Sequence, residues 1–92
     1  MARYYYLLWN PGLRKIIECE VISSVVIIDF GTYSLIYSAG TDRLIVRLPL
    51  GRFTGMYDVA DLDIEARPST HLLDALEQLL RESIVLYEEV EE

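Results

Sequence analysis

From Leu13 to Arg67 the apolar residues recur at every second position, in short runs that each end at a turn signal. A period of two places successive side chains on opposite faces of an extended chain, so this pattern specifies strands and excludes a helical bundle. The single cysteine, Cys19, removes an internal disulfide framework and a cysteine-based zinc site as sources of stability. A chain of 92 residues must therefore hold together through one hydrophobic core, and its 52% apolar composition allows that. One domain spanning residues 1–92 is expected, with no internal repeat or linker.

The strands follow from the runs. Residues 3–9 (RYYYLLW) are aromatic and aliphatic. Asn10-Pro11-Gly12 then reads as a type II turn, with Pro fixing φ at its first central position and Gly supplying a positive φ at the second. From Leu13 to about Ile22 one face reads Leu13, Lys15, Ile17, Cys19 and Val21, the apolar and buried one. Ser23-Ser24 reads as a bulge or sharp bend in front of the continuous run Val25 to Ile28, a central strand buried on both faces. Asp29 to Thr32 and Ala39 to Asp42 are turns, and strands lie over 33–38 and 43–48. Residues 50–58 form a wide loop, and 59–67 form an edge strand with one wet face.

Pro68-Ser69-Thr70 opens a helix, with Ser69 or Thr70 as its N-cap. The apolar positions from Leu72 to Tyr87 fall on about half of a helical circumference, so the helix is expected to run to about Tyr87 and to end in an acidic tail. The expected fold is mainly β (β+α). Residues 1–67 form an antiparallel meander of five or six strands, curled into a roll or barrel, and residues 68–92 form one C-terminal helix with its tail. That order of elements is similar to that of pleckstrin-homology-like and other small barrel domains, a likeness of topology that implies no activity.

The formal net charge of −7 is unevenly placed. Residues 1–56 carry six basic and four acidic side chains, whereas residues 57–92 carry two and eleven. The acidic half repels a phosphate backbone and suits a basic partner. No apolar run is long enough for a membrane span, and the N-terminus shows no signal-peptide pattern. Amide side chains are limited to Asn10 and Gln78, a composition found in thermophile proteins. The expectation is a cytoplasmic protein of a thermophilic prokaryote or its virus.

Each candidate for chemistry has a plainer structural reading. His71, the only histidine, lies in the first helical turn with no nucleophile or acid at a diagnostic spacing. Cys19 falls on an apolar face, where a thiol is inert. Asp61, Asp63 and Glu65, with Asp58 before them, form a row of carboxylates. A flat row does not converge on a cation, so it reads as a solvated edge face. The segment Leu50 to Gly55 lacks the Gly-Lys-Ser/Thr ending and following helix of a phosphate loop. No catalytic residue, metal site or cofactor is expected.

The excess of apolar surface points to protein contacts instead. The first strand is apolar on both faces, and the helical arc is wider than one contact stripe requires. The expected function is a non-enzymatic accessory or adaptor domain, preferably a homodimer, with Tyr5, Leu7, Trp9, Arg52 and Phe53 as contact residues. A larger assembly, or a basic partner for the acidic helix, is the other form of the same expectation. A nucleic-acid module would use Arg3, Tyr5, Trp9, Arg14 and Lys15, stacking bases on the aromatics. A small ligand-binding barrel or enzyme is the third reading.

Overall fold

The computed structural model describes residues 2–92. Its elements run β1 (Arg3–Asn10), β2 (Lys15–Ile22), β3 (Val25–Asp29), β4 (Ser34–Ser38), β5 (Arg43–Leu48), α1 (Leu50–Thr54), β6 (Leu62–Ala66), α2 (Thr70–Glu82) and β7 (Ile84–Glu91). The strands form one antiparallel sheet of seven in the order β6-β5-β4-β3-β2-β1-β7. The first six strands are the expected meander. The sheet is open, with β6 and β7 at its edges, so the expected closure into a barrel does not appear among the described residues.

The largest correction concerns the C-terminus. The expected helix to Tyr87 stops at Glu82, and residues 84–91 form β7, which pairs antiparallel with β1. Three physical reasons are visible. Ser83 leaves the helix in an extended conformation while its N–H and hydroxyl still donate to the carbonyls of Leu80 and Leu79. Ile84 and Val85, both β-branched, follow it. Beyond them β1 would otherwise present a full edge of unpaired backbone groups. Sharing an apolar arc with the helix was therefore compatible with a strand. The acidic tail, except Glu92, is the second half of β7.

Pairing with β7 makes β1 an interior strand, with its backbone bonded on both sides. Its register with β7 shifts between Leu7 and Leu8, leaving Leu86 as the extra residue of a bulge. Two turns also differ from expectation. Ser23-Ser24 is a full chain reversal, since Ile22 faces Val25, and Ser23 takes the positive φ of 55° that a tight hairpin needs. In the β1–β2 loop the left-handed residue is Arg14, at φ 53°, and not Gly12. Residues 50–54, expected as loop, form the short helix α1, which ends at Gly55 in the left-handed region (φ 72°). Gly51 lies so close to the backbone of Met56 and Val59 that a Cβ there would meet their carbonyl oxygens at 3.1 and 3.0 Å.

One face of the sheet, the inner face, is covered by α2. Leu76, Leu79 and Leu80 pack over Leu8, Ile17, Cys19, Ile28 and Phe30, with Tyr6, Val21, Val26 and Leu35 around them. Ser69 caps α2 by accepting from the Leu72 N–H at 3.1 Å, as expected of that position. Asn10 ties the other end of the helix to the first hairpin. It is buried, and its amide nitrogen donates to the Leu79 carbonyl at 3.1 Å and to Ser83 Oγ at 3.0 Å. Its amide oxygen accepts from the Leu13 N–H at 2.9 Å, closing the β1–β2 loop.

Replacing this side chain strands polar groups at a buried helix end. Asn10→Ala is expected to lower stability by about 3 kcal/mol, measured by chemical denaturation. A loss within 0.5 kcal/mol, as for an ordinary surface substitution, would contradict the clamp.

Candidate protein-contact face

Among the described residues, no helix packs on the outer face of the sheet. Its side chains alternate with those of the inner face, and in β2, β4 and β5 they belong to the more polar phase: Glu18, Glu20 and Ile22 in β2; Ser34, Ile36 and Ser38 in β4; Arg43, Ile45 and Arg47 in β5. Each of these triplets contains one isoleucine, and β2 adds Ile16 at its start. The register gathers them: Ile27, Ile36 and Ile45 stand opposite one another across three strands, and Ile22 and Val25 form the neighbouring pair. All five are half-buried. An antiparallel sheet with one free face normally turns polar residues to water, and the centre of this face does not.

Charged side chains rim the block. Arg3 pairs with Glu20 at 3.1 Å and with Glu91 at 3.4 Å. On the opposite side Arg43 holds Glu65 and Arg47 holds Asp63, each guanidinium donating through Nε and Nη2 to both carboxylate oxygens. This fork geometry lowers the proton affinity of Asp63 and Glu65 through hydrogen bonding and raises that of their arginines. The carboxylate row of β6 is thus engaged by arginines, and no cluster able to hold a metal ion is found among the described residues. An apolar centre within a polar rim is the anatomy of a protein-contact surface.

Beside the block, the outer face of β1 carries the aromatic corner. Tyr5, Leu7 and Trp9 lie on this face, opposite Glu89, Tyr87 and Ile84 of β7. Tyr87 meets Tyr5 edge-on, with ring centroids 6.3 Å apart. Tyr5 Oη donates to Glu18 at 2.7 Å, and this bond to a carboxylate pushes the phenol up to about 12. A shallow depression of about 210 Å³ is lined by Leu7, Ile16, Glu18, Asp29, Gly31 and Arg52. Arg52 reaches it from α1 by donating to the Gly31 carbonyl at 2.8 Å.

Tyr5, Leu7 and Trp9 therefore share the outer face of β1, and Leu7 and Arg52 line the same depression. Phe53, in α1 beside Arg52, is 56% exposed. The proposed nucleic-acid set is spread out. Arg3 and Tyr5 are engaged by carboxylates toward one end of β1, whereas Lys15 pairs with Asn10 at its other end and Arg14 lies in the adjoining loop. His71 is exposed in the first turn of α2. Cys19 is buried in the core, and burial pushes its thiol up. Among the described residues, no helix is long and apolar enough to cross a membrane. Compared with known proteins, the chain matches no family model, no curated protein and no solved structure.

The residues that sequence reasoning missed are Ile22, Val25, Ile27, Ile36 and Ile45 as a group. Their signal was present as isoleucines in the polar phases of β2, β4 and β5 beside the β-branched run of β3, but only the register shows that they meet.

The pKa directions fix a pH dependence. Asp63 and Glu65 are lowered by folding, so their contribution is present above the ordinary carboxylate range and is lost as pH falls through it. The phenol of Tyr5 is raised, so its contribution is complete below pH 10 and is lost as pH rises toward 12. The urea midpoint is expected to fall on both sides of neutrality, and Tyr5→Phe should flatten only the alkaline limb. An alkaline limb as steep in Tyr5→Phe as in the wild type would contradict the assignment.

Proposed function

We propose that the chain is a non-enzymatic accessory domain that acts through protein–protein contact, and that it self-associates. The observation that carries this reading is the apolar block on the helix-free face, rimmed by ion pairs. Aliphatic side chains left half-buried at the centre of an antiparallel sheet gain when a second protein surface removes them from water, at about 25 cal/mol per Å² of apolar area. The aromatic margin at Tyr5, Leu7 and Trp9 extends the same surface, and aromatic residues are favoured in such contacts.

The geometry gives less support to the other two readings. A phosphate backbone would have to displace Glu20 and Glu91 from Arg3 and approach the carboxylates around Tyr5. An open sheet offers no barrel interior. The crevice at Thr41, Asp42, Arg43, Glu65, Ala66, Arg67 and Pro68, about 610 Å³, is open to solvent and holds Arg43 already paired with Glu65.

Light scattering behind size exclusion tests the reading. The wild-type chain is expected at twice its monomer mass. Ile36→Lys, which places a charge at the centre of the block without entering the core, is expected at the monomer mass with an unchanged far-UV spectrum. A wild type that stays monomeric at every concentration would overturn self-association.

A further inference from the structure

We propose that the free edge of β7 takes a basic, extended segment of a partner protein as an eighth strand of the sheet. This site is separate from the outer face and stands apart from the self-association reading. The alternation of hydrogen bonds fixes which groups β7 offers. At the two ends of the β3–β4 pair, Ser24 accepts from the Ala39 N–H and the Phe30 N–H donates to Tyr33. The even-numbered residues of β3 therefore bond β4, and the odd-numbered ones bond β2. Carried through the register, Arg3, Tyr5, Leu7 and Trp9 of β1 bond Glu91, Glu89, Tyr87 and Ile84 of β7. The backbone groups of Glu88 and Val90 thus point away from the sheet, and an added strand is the partner that pairs such a row.

The side chains select the kind of strand. Below the bulge at Leu86, β7 carries Glu88, Glu89 and Glu91. The one cation paired with any of them among the described residues is Arg3, which Glu91 shares with Glu20. The other edge differs, because Asp63 and Glu65 of β6 are each held by an arginine of β5. A second copy does not suit the β7 edge. Antiparallel pairing must set outward-pointing residues opposite one another, so below the bulge Glu88 or Val90 faces Glu88 or Val90. Those registers put Glu88 on Glu88, Glu89 on Glu89, or Glu89 on Glu91, and like charges directly opposite are destabilising. A register that reaches past the bulge lays glutamates on exposed apolar side chains. Arginine or lysine at the facing positions turns each of these contacts into an attraction. At the start of β7, Ile84, Val85 and Leu86 are each more than half exposed. An antiparallel segment that begins basic and ends apolar is therefore complementary along the whole edge.

The test is amide hydrogen exchange on the full chain, read residue by residue with and without a short blocked peptide. The peptide is made of arginine–valine repeats followed by valine and isoleucine, and its counterpart has glutamate in place of every arginine. The arginine peptide at saturation is expected to slow exchange at the Glu88 and Val90 amides by about tenfold or more, and the glutamate peptide to leave them unchanged. Val90→Pro removes an outward donor and leaves the β1 ladder intact, a position where an edge strand tolerates proline. It is expected to weaken binding of the arginine peptide about tenfold, with the far-UV spectrum of the wild type. An arginine peptide that leaves both amides unchanged, or slows only amides elsewhere, would overturn the proposal. So would a Val90→Pro chain that binds it as tightly as the wild type. Equal slowing by the glutamate peptide would overturn the basic class of partner. Slow exchange at both amides in the chain alone would mean that a second copy occupies the edge, and would also overturn it. None of these outcomes depends on whether the wild type is a dimer through its outer face.

Discussion

The structure depends on the return of the chain to β1 after α2. Without β7, the first strand would be a long aromatic edge with a row of unpaired backbone groups. With it, β1 is bonded on both sides, and the sheet extends to Ile84–Glu91. Asn10 sets the point of return. Its one amide group reaches the β1–β2 loop through Leu13, the last turn of α2 through Leu79, and the exit residue Ser83. These are the three places where the path must be fixed for residue 84 to begin beside Trp9. A buried amide satisfied on both its atoms specifies such a corner, because any other path would leave it unpaired.

The division between the two faces follows from that return. The longer of the two described helices, α2, is spent on the inner face, where it covers the β1–β3 region through Leu76, Leu79 and Leu80. The outer face is left with a sheet and no covering layer. Most of it is made compatible with water by Arg3, Arg43 and Arg47 and their carboxylates. Exposed ion pairs of this kind add little stability, so their arrangement bears more on what the surface can meet than on how firmly the chain folds. The isoleucine block within them is half-buried under no covering layer of the described residues, and the functional reading is built on it.

Much of the fold was legible in the sequence because strand periodicity and turn chemistry are local. The meander from β1 to β6, the edge position of β6 and the Ser69 cap all follow from short stretches of residues. The misread parts depended on distant partners. Ser83 to Tyr87 fit a helical arc as well as they fit a strand, and only the open edge of β1, some eighty residues earlier in the chain, decides between them. Ser23-Ser24 carries no glycine or asparagine, so a tight hairpin there is decided by the pairing of Ile22 with Val25 rather than by turn propensity. The candidate face was half legible. Tyr5, Leu7 and Trp9 stood out by composition, whereas Ile36 between two serines and Ile45 between two arginines looked like isolated exceptions until the register aligned them.

The claim on which the rest stands is that residues 84–91 complete the sheet. Amide hydrogen exchange followed residue by residue tests it most directly. The account predicts protection at alternate amides of β7, those that point at β1, with the intervening amides exchanging quickly at the free edge. Continuous protection from Thr70 through Tyr87, as in an unbroken helix, or no protection beyond Ser83, would contradict it.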